Sequence, residues 1–109
     1  MTVCEMAKAL SLEPISTPEE ERNIEGVYIG DLLSWVMGRA ESGNVWITIM
    51  SNINIVAVAS LADVACVVLA EGVTLADDVR ATAEQKGINV YSSSKTAYEL
   101  AVSLADLLK

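Results

Sequence analysis

The chain has 109 residues, 52% of them hydrophobic and 20% charged, which gives room for one domain with an ordinary core and excludes intrinsic disorder. Seven basic against fifteen acidic residues leave a net charge of −8, a poor balance for binding a nucleic-acid backbone. There is no histidine, which removes Ser-His-Asp and Cys-His nucleophiles, the HExxH zinc site and other His-dependent metal centres.

The N-terminal residues Met1-Thr2-Val3-Cys4-Glu5 carry neither a basic n-region nor an apolar h-region, so no secretory signal is expected there. Thr2 and Glu5 have the spacing of a capping box and open a short helix through Leu10. From Glu13 to Glu25, the residues Pro14, Pro18 and Glu19-Glu20-Glu21 read as a solvated connecting segment. Val27-Tyr28-Ile29 is a short strand. Asp31 to Met37 repeats apolar positions at helical spacing, with Gly38 or Gly43 closing the helix.

Val45 to Met50 is rich in β-branched residues and reads as a strand, and Asn54 to Leu61 as a short buried helix. Ala65 to Leu69 is a continuously apolar strand of the kind covered on both faces in a parallel sheet. Within it Cys66 reads as a buried, inert thiol. Cys4 stands far from it and outside CxxC spacing, so neither a disulfide framework nor a zinc knuckle is expected. Thr74 is taken as the cap of a helix from Leu75 to Lys86 that ends at Gly87. Ile88 to Tyr91 is the last strand, and Ser94 is taken as the cap of a helix reaching Leu108. The alternation predicts an α/β fold over residues 1–109: a small, mainly parallel sheet with helices packed on it. The longest apolar stretch, Ile53 to Ala70, is broken by Asn54, Ser60 and Asp63 and falls short of a membrane span, so a cytoplasmic protein is expected.

In such sheets ligands gather at the carboxyl ends of the strands, where helix N-termini present free N–H groups. The turns Ser51-Asn52-Ile53-Asn54, Ala70-Glu71-Gly72-Val73-Thr74 and Ser92-Ser93-Ser94-Lys95-Thr96 occupy these places. Asn52 and Asn54 offer amides for polar recognition, Gly72 allows close backbone approach, and Ser93, Ser94 and Lys95 offer hydroxyls and a cation for a phosphate or carboxylate. The alternative for the serine turn is that Ser94 only caps its helix. Asp31 and Glu71 form a carboxylate pair only if their turns converge. Neither GxxxxGK[ST] nor GxGxxG occurs, and no metal site or cofactor is expected. Trp46 reads as core. Trp35, with Leu32, Leu33 and Val36, gives an apolar face that fits a dimer or partner contact.

Taken together, Ile24-Glu25-Gly26-Val27-Tyr28-Ile29-Gly30-Asp31-Leu32-Leu33-Ser34, Ile55-Val56-Ala57-Val58-Ala59, Val67-Val68-Leu69-Ala70-Glu71-Gly72 and Gly87-Ile88-Asn89-Val90-Tyr91 resemble the DRTGG domain family, over about Thr2 to Leu108. The resemblance implies a small α/β module, often dimeric. Such modules occur alone, between paired CBS domains in some inorganic pyrophosphatases, and in some phosphotransacetylases. They are similar to the N-terminal domain of HPr kinase/phosphorylase, whose kinase activity resides in a P-loop domain this chain lacks. Free-standing members near iron-hydrogenase genes imply a link to redox metabolism. Of the residues that name the family, only Gly72 has its counterpart here. Amides and hydroxyls stand where the acidic–basic pair is expected, near Ser51 to Asn54.

The resulting expectation is a non-catalytic, homodimeric regulatory module that binds a small, anionic or nucleotide-like metabolite at the strand ends. The alternative is a protein–protein adaptor for a metabolic or redox enzyme, with no small ligand.

Overall fold

The computed structural model describes residues 1–109, with elements in the order α1 (Val3–Ala9), β1 (Glu13–Ser16), β2 (Val27–Ile29), α2 (Leu33–Arg39), β3 (Val45–Thr48), α3 (Asn54–Ala62), β4 (Cys66–Leu69), α4 (Asp77–Gln85), β5 (Val90–Ser92) and α5 (Ala97–Leu107). The most apolar runs become the inner strands. β3 and β4 are buried at every position, as strands with neighbours on both sides and helices on both faces must be. β2, β3, β4 and β5 pair parallel in succession, and β1 adds an antiparallel edge beside β5, giving the order β1-β5-β4-β3-β2.

Alternation along each strand divides the apolar residues between two cores. Trp46, Val67, Leu69 and Val90 point to the face covered by α2, α3 and α4, where they meet Val36, Ile55, Ala59, Val79 and Ala83. Val45, Ile47, Cys66, Val68 and Tyr91 point to the opposite face, under Val3 and Met6 of α1 and Leu100 and Leu104 of α5. The strands advance in one direction while the three crossover helices stay on one face, as a single crossover hand requires. Burying each such Val, Leu or Ile side chain contributes about 1.5–3 kcal/mol, so the two cores dominate the stability of the fold. No helix is long and apolar enough to cross a membrane.

Residues 13–25, expected as a solvated connection, keep mostly exposed side chains but begin with a strand and are tied to the rest of the fold. Glu13–Ser16 forms the edge strand, where Pro14 is tolerated because an outer strand can spare a donor, and the ladder is irregular between Pro14 and Ser16. Beyond it the chain is fastened by distant partners. The Asn89 amide donates to the Glu19 carbonyl and its oxygen accepts from the Glu19 N–H, both at 2.9 Å. Arg22 donates to the carboxylate and carbonyl of Asp63 at 2.9 and 2.7 Å. These partners lie far along the chain, so local composition carries no sign of them.

Helix boundaries bring further corrections. Gly38 lies inside α2, which runs to Arg39 with Ala40 as its C-cap, while Gly43 serves the next turn at φ +82°. Thr74 does not cap α4. That helix begins at Asp77 behind Ala76, and Asp77 and Asp78 in its first turn complement the helix dipole. Ser94 does not cap α5; Thr96 does, in a full capping box with Glu99. The Thr2–Glu5 capping box forms as expected, as does the left-handed Gly87 after α4.

Candidate functional site

Ser93, Ser94 and Lys95 leave the carboxyl end of β5 in a turn held by its own hydroxyls. The Ser93 Oγ accepts from the Lys95 N–H at 3.1 Å, and the Ser92 hydroxyl donates to the Val73 carbonyl at 2.7 Å. The β4–α4 turn is clipped against it: the Glu71 N–H donates to the Lys95 carbonyl and the Gly72 N–H to the Ser93 carbonyl, both at 2.8 Å. Glu71 and Gly72 reach this position with φ of +58° and +76°. Glycine adopts that conformation freely, and glutamate does so at about 1–2 kcal/mol.

Because β1 runs antiparallel to β5, its first residue, Glu13, is the register partner of Ser92. A cavity of about 660 Å³ opens at this corner, walled by the serine turn with Lys95, by Ser11 and Glu13, and by Ser103 of α5. The Lys95 ammonium belongs to neither of the chain's two ion pairs, which join Arg22 to Asp63 and Lys109 to Asp106.

Of the residues singled out in the sequence, Ser93, Ser94 and Lys95 therefore line one cavity, and Gly72 shapes it through its backbone. Asn52 and Asn54 do not reach it. The Asn52 Oδ1 accepts from the Asn54 N–H at 2.9 Å in an Asx turn that opens α3, and both residues are exposed. Nothing brings Asp31 and Glu71 together. The Asp31 Oδ1 accepts from the Thr48 hydroxyl at 2.7 Å and the Ile49 N–H at 3.0 Å, locking the β2–α2 turn to the end of β3.

Trp46 is fully buried and donates from Nε1 to the Gly30 carbonyl at 2.8 Å. Trp35 is half exposed, with the Arg39 guanidinium 3.7 Å above its ring. Ile29, Leu32, Ile49 and Ile53, at or just past the ends of β2 and β3, are exposed as well. Burial pushes the Cys66 thiol up to about 12, which makes it inert at neutral pH. Burial, reinforced by the Glu20 carboxylate, pushes the Tyr91 phenol up to about 12.

Sequence reasoning missed Ser11, Glu13 and Ser103. Ser11 follows the end of α1 in a left-handed conformation, φ +53°, and Ser103 lies within an amphipathic helix. Neither position carries a local signal: Ser11 joins the site because β1 returns beside β5, and Ser103 comes from α5, which follows the serine turn.

The DRTGG domain model matches residues 5–107. The chain is similar, at a TM-score of 0.78 and 16% identity, to the crystal structure of the CBS and DRTGG domains of the regulatory region of Clostridium perfringens pyrophosphatase complexed with its activator, diadenosine tetraphosphate. That alignment covers 94% of this chain and 45% of the other, and at this identity the likeness is one of fold. No curated protein matches. With nearly its whole length matched, the chain belongs to the DRTGG domain family.

Proposed function

We propose that this domain is a non-catalytic regulatory module that binds a small, anionic or nucleotide-like metabolite in the cavity at the end of β5. The observation that carries the reading is the composition of that cavity: serine hydroxyls, the unpaired ammonium of Lys95 and the carboxylate of Glu13 around about 660 Å³. An ammonium beside hydroxyls suits a phosphate or carboxylate group. Glu13 accepts from ligand hydroxyl or amino groups, so a ligand bearing both kinds of group fits better than a bare inorganic anion. The nucleotide activator of the similar pyrophosphatase region supports the same ligand class. The module works in the cytoplasm as a homodimer joined through the Trp35 side of α2. The exposed Ile29, Leu32, Trp35, Ile49 and Ile53 favour a second reading, an adaptor that docks a metabolic or redox enzyme there.

Thermal unfolding against a panel of nucleotides and phosphometabolites tests the first reading. A ligand at 100 times its Kd adds about 2.7 kcal/mol and raises the midpoint by about 10 °C. Lys95→Gln should abolish the shift and leave the ligand-free midpoint unchanged. A flat panel from a well-folded protein supports the adaptor instead.

A further inference from the structure

A second cavity, of about 350 Å³, adjoins the first, and Ser11 stands in the wall of both. β1 crosses the same boundary, with Glu13 lining the first cavity and its neighbour Pro14 the second. The chemistry changes there. Serines dominate the first cavity, whereas Ala7, Leu12, Pro14 and Tyr91 give the second a largely apolar surface. Backbone hydrogen bonds hold that surface in place. The Cys4 N–H donates to the Glu20 carbonyl at 2.8 Å and the Leu12 N–H to the Ala7 carbonyl at 2.9 Å, while Pro14 is the register partner of Tyr91. A flat apolar group enters such a preformed space without reordering the chain.

Two charged side chains, Lys8 and Glu20, share the wall of the second cavity. They pair neither with each other nor with another side chain, since the chain's ion pairs join Arg22 to Asp63 and Lys109 to Asp106. An ammonium only donates and a carboxylate only accepts, so together they match a flat group that carries an acceptor beside donors.

Building on a phosphate held at Lys95, as proposed above, we infer that one nucleotide spans both cavities and that its base, lodged in the second, is guanine. The ribose hydroxyls donate to Glu13, and the ligand passes Ser11 to reach the apolar surface beyond. Guanine presents O6 as an acceptor beside two donors, N1–H and the 2-amino group. Lys8 donates to O6 and the two oxygens of Glu20 accept from the donors, a charge-assisted and bidentate arrangement. Adenine and cytosine set one amino group beside an acceptor nitrogen, which repels the second carboxylate oxygen. Uracil sets one N–H between two carbonyls. Guanine alone of the four engages Lys8 and both oxygens of Glu20.

Isothermal titration calorimetry of the full chain with GMP, IMP, AMP and ribose 5-phosphate tests the base subsite. IMP lacks only the 2-amino group, and losing one hydrogen bond to a carboxylate should weaken it by about 10- to 100-fold relative to GMP. AMP and ribose 5-phosphate should bind more weakly than GMP as well. Glu20→Ala should erase the difference between GMP and IMP and leave ribose 5-phosphate unchanged. Residue 20 is bonded to α1 through its carbonyl, so the variant keeps the fold. No binding by any of the four overturns this inference together with the function proposed above. Equal affinity for GMP and either IMP or ribose 5-phosphate, AMP at least as tight as GMP, or a preference for GMP over IMP that survives Glu20→Ala overturns the guanine subsite alone and leaves the anion site standing.

Discussion

Ser94 and Thr96 both place a hydroxyl just ahead of α5, and only Thr96 bonds the helix, accepting from the Glu99 N–H at 3.2 Å. Thr96→Ala is expected to cost about 0.5–2 kcal/mol in urea unfolding, whereas Ser94→Ala should stay within about 0.5 kcal/mol and act on ligand affinity alone. The Thr-x-x-Glu pattern was legible at both ends of the chain. Three serines in a row drew attention away from its second instance, since each of them is also a good cap. The two thiols separate as cleanly. Maleimide at pH 8 should modify Cys4 in the native protein and reach Cys66 only after unfolding, because burial holds the Cys66 proton. Gly72→Ala should cost about 1 kcal/mol from backbone conformation alone, since no atom lies within 4 Å of the added methyl.

Helix ends and the acidic turn depend on ionised carboxylates. The Thr2 N–H, bonded to Glu5, and the Thr96 N–H, bonded to Glu99, hold those carboxyls below their usual range. The Arg22 guanidinium, followed by the Ser42 hydroxyl, does the same for Asp63. A lowered folded value means that the stabilisation is full above the unfolded pKa, about 4, and is lost as the pH falls through the folded values. Unfolding midpoints in urea should therefore drop below about pH 4, and Arg22→Gln should flatten part of that dependence. The helices and inner strands were readable because burial imposes a period on them. β1 was not. Four residues that include a proline, followed by a run of glutamates, look like any exposed loop. What makes them a strand is the far end of the chain, where Asn89 and β5 supply the partners.

At the scale of the molecule, the alternation of apolar strands and amphipathic helices was enough to reach a mainly parallel sheet with helices packed on it, while the functional corner was only half legible. Its serine turn belongs to a strand end that the topology makes predictable; Ser11 and Glu13 come from a segment whose place depends on the antiparallel return of β1. The interior should be unforgiving. Leu69→Ala, at a fully buried position in the central strand, is expected to cost about 2–5 kcal/mol, a large part of the 5–15 kcal/mol typical of a domain.

The pairing of β1 with β5 also sets an order of assembly during synthesis. β1 is made before the other four strands, yet its only partner in the sheet, β5, is made after them, so this edge forms only once the parallel strands are present. Completing the sheet is a long-range closure in which an early segment of the domain docks against a late one. A nascent chain stalled before Val90 should bind chaperones through that early segment and release them once α5 has emerged.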